Sequence, residues 1–316
     1  MQAAVVTTFD SAPKYEAIDP PQASNEHEVL VDVLATGLHL LVRAQANGSH
    51  YTSTGKLPMI PGVDGVGRLP DGKAVYFVAP GAMSEQVLID RRRSLPLPEG
   101  ADPVKVAAAM NPAMSSWMAL RCRVPFQPGQ QVLVLGATGN SGQMAVRIAK
   151  LLGAGRVIGA GRNSRRLDEL KQLGADEVVS LAGEPEEAAR RLAEAASEVD
   201  VVIDYLWGET AETAMLPILK NRADRSRPLY WVEVGSMAGA TAAIPAAALR
   251  SSNLHLIGSG QGSVTAKQYL AEFPALIQAI AQGELPVNAR TVPLTEVERV
   301  WNEPVDPSER IVFVPR

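Results

Sequence analysis

Cysteine is almost absent from this 316-residue chain: Cys122 stands alone. One thiol excludes an internal disulfide and excludes a structural zinc lobe built on thiolates. Cys122 itself reads as an inert packing residue. Long apolar runs are missing too, so no segment approaches the length needed to cross a bilayer. The N-terminal stretch MQAAVVTTFDSAPKYEA has no basic segment followed by an apolar one. No secretory signal is expected there, and a cytoplasmic location is the default expectation. Neither sign of charge dominates: the formal net charge is −4. That balance gives no broad attraction to nucleic acid or to an acidic membrane, and neither is expected as a partner. The basic run Arg91–Arg93 lies between a candidate strand and a proline-rich turn and reads as a solvated turn. There is no internal repeat and no low-complexity tract.

What is present is an ordinary globular composition, 46% hydrophobic and 20% charged. The length is generous for one core and comfortable for two domains. Up to about residue 118, short alternating segments at 29–34, 74–78 and 84–89 are broken by Pro and Gly. They read as antiparallel strands of a small barrel-like or irregular β domain. From 119 to 261 the rhythm changes. Short β-branched runs at 132–135, 157–160, 178–180, 201–204, 230–234 and 254–257 alternate with Ala/Leu/Glu/Arg segments. This is the pattern of βα units around a parallel sheet, and six strands complete a dinucleotide-binding sheet. Asn163 or Ser164 can cap a helix that buries Leu167, Leu170 and Leu173 and stops at Gly174. Pro185 suits the first turn of the next helix. The last stretch predicts a helix over 265–282, strands at 291–294 and 311–314, and a short helix at 296–301. The strand at 254–257 should end the sheet, and an unprotected edge invites a second copy, so a homodimer is expected.

The strongest chemical signal follows the first strand of the parallel pattern. There Gly136, Ala137, Thr138, Gly139, Asn140, Ser141 and Gly142 lead straight into an amphipathic helix. Glycine lets the backbone turn sharply and approach a pyrophosphate, and a helix N-terminus supplies free N–H groups and partial positive charge. The spacing is GxxGxxG rather than GxGxxG. The second strand ends in Gly161, Arg162 and Asn163, followed by Ser164, Arg165 and Arg166. A site for NAD usually places Asp or Glu there to hold the ribose 2′-hydroxyl. Here no carboxylate opposes a 2′-phosphate, and guanidinium donors are at hand, which points to NADP(H). The alternative is that these arginines are solvated residues at a helix start. Basic groups are unfavourable there unless something anionic accompanies them.

Several further segments stand in a recognisable order. They are Thr36-Gly-Leu-His39, Pro61-Gly-Val-Asp64-Gly-Val-Gly67, Gly81-Ala-Met-Ser-Glu85-Gln, a helix through Asn111, Ser115 and Ser116, Leu173-Gly-Ala-Asp176 and Pro293-Leu-Thr-Glu-Val297. With the glycine turn, the chain resembles the medium-chain dehydrogenase/reductase superfamily, and within it the zinc-independent quinone oxidoreductase (zeta-crystallin-like) branch. The resemblance implies an α/β architecture in two parts. A GroES-like β-rich catalytic domain would be formed by residues 1–118 and 262–316, with a Rossmann doubly wound parallel sheet of six strands inserted at 119–261. It implies that zinc-dependent members carry their catalytic ligands where this chain has His39, Val63 and Asn111. Val63 has no donor atom and Asn111 is a neutral amide, so no metal is expected. The chain departs from the branch at His39, Val42, Ala44 and Ala46, where quinone reductases usually carry Asn, Asp, Tyr and Arg.

The resemblance places Asn111, Ser115 and Ser116 at the nicotinamide end; the alternative for each is capping the start of that helix. Gly235 and Ser236, after the fifth strand, are counted with the cofactor contacts. The expected reaction is hydride transfer from NADPH to a small electrophile, a quinone or an α,β-unsaturated carbonyl, followed by a proton. Tyr51, His50 and His39 are candidate proton donors. Their other readings are a wall of an apolar pocket, a loop-surface residue and a packed residue, and solvent can supply the proton instead. The competing functions are metal-free reduction of a simple ketone or aldehyde, and a non-catalytic NADPH-binding sensor or structural protein.

Overall fold

The computed structural model describes residues 1–304, 306 and 308–315. The chain divides into two units, Met1–Asn111 with Leu270–Arg316, and Pro112–Tyr269. Chain order begins with β1 (Gln2–Val5), β2 (Lys14–Ala17), β3 (Glu28–Gly37), α1 (Leu40–Ala46), β4 (Asp64–Arg68), β5 (Ala74–Val78), β6 (Gln86–Asp90), β7 (Leu95–Pro96) and α2 (Pro103–Met118). The middle of the chain holds β8 (Gln131–Leu135), α3 (Asn140–Leu151), β9 (Arg156–Gly161), α4 (Ser164–Gln172), β10 (Glu177–Ser180), α5 (Pro185–Ala196), β11 (Val201–Asp204), α6 (Gly208–Asn221), β12 (Leu229–Glu233), α7 (Ala246–Arg250) and β13 (Leu254–Gly258). It closes with α8 (Ala266–Ala281), β14 (Ala289–Pro293), α9 (Val297–Val300) and β15 (Arg310–Val314).

In the first unit β3 is the organising strand. It pairs antiparallel with β4, β6 and β15. Its alternate residues Val31 and Val33 are buried with Val75, Phe77, Val87 and Ile89. Glycines on β4 make room for the Phe77 ring: a Cβ at Gly65 would lie 3.1 Å from its Cζ, and one at Gly67 3.2 Å from its Cε1. The antiparallel expectation for the strands before residue 118 holds, while β14 and β15, for which the sequence predicts no orientation, pair in parallel. Their connection runs through a 3₁₀ turn at Leu294–Glu296 and α9, long enough for a crossover. Arg91–Arg93 forms one exposed 3₁₀ turn, with Asp90 accepting from the backbone N–H of Arg92.

The second unit holds a parallel sheet in the order β10-β9-β8-β11-β12-β13. The order reverses between β8 and β11, which creates the switch point where doubly wound sheets bind ligands at their C-terminal edge. Val132 to Leu135 are all fully buried, as a central parallel strand covered on both faces requires. Asn163 caps α4, its side chain accepting from the backbone of Arg166, and α5 opens on Pro185. Among the described residues no helix is long and apolar enough to cross a membrane.

Candidate functional site

At the end of β8 the chain turns at Gly136, whose φ of 82° lies in the left-handed region that a side chain would resist. The backbone N–H groups of Gly136 and Ala137 both donate to Ala160 O, at 3.0 and 2.9 Å, which pins the turn to β9. Gly139 is the N-cap of α3 and has no side chain to satisfy the first-turn donors. The amides that follow, from Asn140 and Ser141, are therefore open to an external acceptor. Gly142 lies against the turn: a Cβ there would be 2.2 Å from Gly136 O and 2.6 Å from Ala137 Cα. Gly161 plays the same part across the strand, where a Cβ would meet Thr138 Cγ2 at 2.5 Å. The turn is thus a backbone cradle whose side chains have been removed where they would close it, and it fits a pyrophosphate.

Beyond β9, Arg162 and Asn163 are exposed, as are Ser164 and Arg165, while Arg166 is half-buried. Arg165 lies 3.4 Å from Glu169 one turn along α4, on a largely solvated side chain. No acidic residue stands between Gly161 and Arg166.

The end of β11 supplies a residue the sequence reading missed. Asp204 is fully buried. Its Oδ1 accepts from the backbone N–H groups of Leu206 and Trp207 at 2.8 and 2.9 Å, and its Oδ2 from Trp231 Nε1 at 2.8 Å. Burial raises its pKa against these donors. The turn so fixed presents Tyr205, whose hydroxyl lies 2.8 Å from Ser115 Oγ on α2. Burial pushes the Tyr205 phenol up to about 12, partly opposed by Ser115 and Ser116. Gly235 donates its backbone N–H to Asp204 O at 3.1 Å, and Ser236 beside it is exposed. Asn111 and Ser116 are on α2 as well; Ser116 is fully buried and its Oγ reaches Ala113 O at 3.4 Å. The second unit therefore brings Ser115, Gly136 and Gly235 to one sheet edge. The only signal for Tyr205 in the sequence was its place directly after a strand-ending Asp.

The three candidate proton donors lie in the first unit in different environments. His39 is 2% exposed and packs on Gly37, where a Cβ would lie 2.4 Å from His39 Cε1. Its Nε2 is 3.3 Å from Asp64 Oδ1 without hydrogen-bond alignment. Burial lowers its pKa, opposed by Asp64 and assisted by the charge of Arg310, so the imidazole is held neutral. Asp64 also accepts from Tyr76 Oη at 2.8 Å, and burial lowers the Arg310 guanidinium to about 10. His50 is half-buried, with Nδ1 2.7 Å from Thr52 Oγ1 and its ring 4.3 Å from that of Tyr51. Partial burial lowers the His50 pKa. Tyr51 is 71% exposed.

The donor set at His39, Val63 and Asn111 does not fit a catalytic zinc. Val63 contributes no donor, and Asn111 offers an amide in place of a thiolate. Among the described residues no group of three or more His, Cys, Asp or Glu side chains could hold a metal ion.

Residues 142–282 match the zinc-binding dehydrogenase family. A probable NADPH-dependent quinone reductase of Emericella nidulans, tdiC, is 31% identical, with 100% of each chain aligned. A quinone oxidoreductase-like protein 2 of Bos taurus is 28% identical over 75% of this chain and 69% of its own. Among solved structures, the quinone oxidoreductase of Thermus thermophilus, determined also in complex with NADPH, superimposes with a TM-score of 0.79. It is 26% identical, with 99% of this chain and 100% of that chain covered.

Proposed function

Because the chain belongs to the quinone oxidoreductase branch of the medium-chain dehydrogenase/reductase superfamily, we propose that it is an NADPH-dependent, zinc-independent reductase of quinones or α,β-unsaturated carbonyls. The observation that carries this reading is the cradle from Gly136 to Gly142, with glycine at Gly142 where a Cβ would close it, followed across β9 by Arg162 where an NAD site would hold a carboxylate. The amides at the start of α3 would hold the pyrophosphate, and Arg162 the 2′-phosphate, helped by Asn163, Arg165 or Arg166. Asn111, Ser115, Ser116, Gly235 and Ser236 would serve the nicotinamide half. When bound, NADPH supplies the hydride. The proton that follows comes from solvent or from a group that meets solvent. His50 and Tyr51 meet that condition better than His39, which is buried and held neutral.

Two expected outcomes test this reading. The donor set lacks a thiolate and a third ligand, so elemental analysis should find no stoichiometric metal, and a strong chelator should leave NADPH oxidation unchanged. In the same assay quinones and enones should outpace simple ketones and aldehydes, whose carbonyl would lack a Lewis acid. One zinc per chain, lost together with activity on chelation, would contradict zinc independence. Failure of every quinone and enone would contradict the acceptor class.

A separate expectation concerns assembly. β13 is the last strand of its sheet, and Leu256 on it is 37% exposed. An open edge with apolar side chains favours pairing with a second copy. Light scattering at micromolar protein should give a homodimer, and Leu256→Lys should shift it toward monomer. A wild type that runs only as monomer refutes this assembly.

A further inference from the structure

The hydroxyl chain at the end of β11 assigns work to Tyr205 that the glycine cradle cannot do. Ser115 Oγ donates its single proton to Pro112 O at 2.9 Å. In that arrangement the 2.8 Å contact between Ser115 and Tyr205 runs from the phenol to the serine. The phenol oxygen keeps its acceptor capacity. Burial holds the group protonated, since its pKa rises to about 12.

The place of this acceptor is equally specific. Tyr205 directly follows β11, the strand at which the sheet order reverses. A Cβ on Gly136 would lie 3.2 Å from Tyr205 Cβ, and one on Gly235 would lie 3.3 Å from Tyr205 O. The residue therefore sits against two glycine turns at the C-terminal sheet edge, on the β11–β13 half of the sheet. In a doubly wound sheet the β8–β10 half receives the adenine nucleotide and the β11–β13 half the second nucleotide. We propose that Tyr205, tethered by Ser115, is a positioning residue that accepts a hydrogen bond from an O–H or N–H donor of the nicotinamide-riboside half of the cofactor. This rests on the NADPH reading above. The donor is either a ribose hydroxyl or the carboxamide N–H, and both present the same chemistry to the phenol oxygen.

The test compares Tyr205→Phe with wild type by direct binding of three probes: NADPH, 2′-phospho-ADP-ribose and 2′,5′-ADP. Loss of one neutral hydrogen bond should weaken NADPH by about three- to tenfold. Affinity for 2′,5′-ADP, which lacks the distal riboside, should not change. A parallel loss for 2′-phospho-ADP-ribose identifies the ribose hydroxyl as the donor, and no loss identifies the carboxamide; either supports the assignment. Ser115→Ala keeps the phenol but removes its tether and should shift the same probes in the same direction. It stands in for the Phe variant if that variant does not fold. Unchanged NADPH affinity overturns the inference, as does an equal loss for 2′,5′-ADP, which would make Tyr205 a prop for the whole unit. A wild type that binds neither NADPH nor 2′,5′-ADP overturns the NADPH reading and this inference together, and that result is visible before any variant is made.

Discussion

Gly142→Ala is expected to abolish measurable NADPH binding. The added Cβ would lie 2.2 Å from Gly136 O, 2.6 Å from Ala137 Cα and 2.8 Å from Gly136 C. All three are backbone atoms, so no side-chain rotation relieves the clash. Either α3 backs away from β8 or the turn opens. Opening the turn breaks the bonds by which Gly136 and Ala137 hold Ala160 O. Moving α3 displaces the very amides offered to the pyrophosphate. Overpacking of this kind costs typically about 1–3 kcal/mol of stability. The loss of affinity should be larger, more than about a hundredfold, because several charge-assisted bonds depend on one geometry. A titration with NADPH beside a thermal melt separates the two effects. A folded Ala variant that binds NADPH as the wild type does would show that the turn is a tight connection and not a phosphate cradle.

Arg162 carries the second large effect. Its guanidinium is exposed directly after β9, where the adenine ribose of a bound dinucleotide falls. A charged hydrogen bond contributes roughly 1.5–3 kcal/mol, so Arg162→Ala should weaken NADPH by about ten- to a hundredfold. NADH lacks the 2′-phosphate and should bind the variant nearly as before. Arg162→Asp should go further and tilt the preference toward NADH, because a carboxylate repels the phosphate and accepts from the 2′-hydroxyl. Losses of equal size for the two cofactors would mean that Arg162 holds the loop and leaves the phosphate to others. In that case Arg165 and Arg166 become the next positions to test.

The parallel sheet was legible because its signal is local. Each strand is a short β-branched run, and the run at 132–135 is buried throughout. Asn163 was legible as a cap because the choice of a short polar side chain before a helix has a local cause. Strand ends in this sheet were off by at most one residue, for a physical reason. Arg156 and Gly161 belong to β9 through backbone pairing with β8 and β10, which their side chains do not announce. Contacts distant in sequence were not legible. β14 and β15 pair in parallel across a crossover that composition does not reveal. Tyr205 and Ser115 meet across 90 residues, and Asp64 on β4 faces His39 at the start of α1. The glycine cradle was readable as a motif, yet only the structure shows which glycine is sterically required. Gly142 cannot carry a side chain, whereas Gly139 has only Gly136 O at 3.6 Å from its would-be Cβ.

The central claim is that the second unit binds NADPH in preference to NADH. Calorimetric titration of the wild type with each cofactor tests it most directly. One NADPH per chain should bind saturably, with NADH weaker by about tenfold or more, as the loss of a charged phosphate contact requires. Equal affinity for the two, or no saturable binding of NADPH, would contradict it.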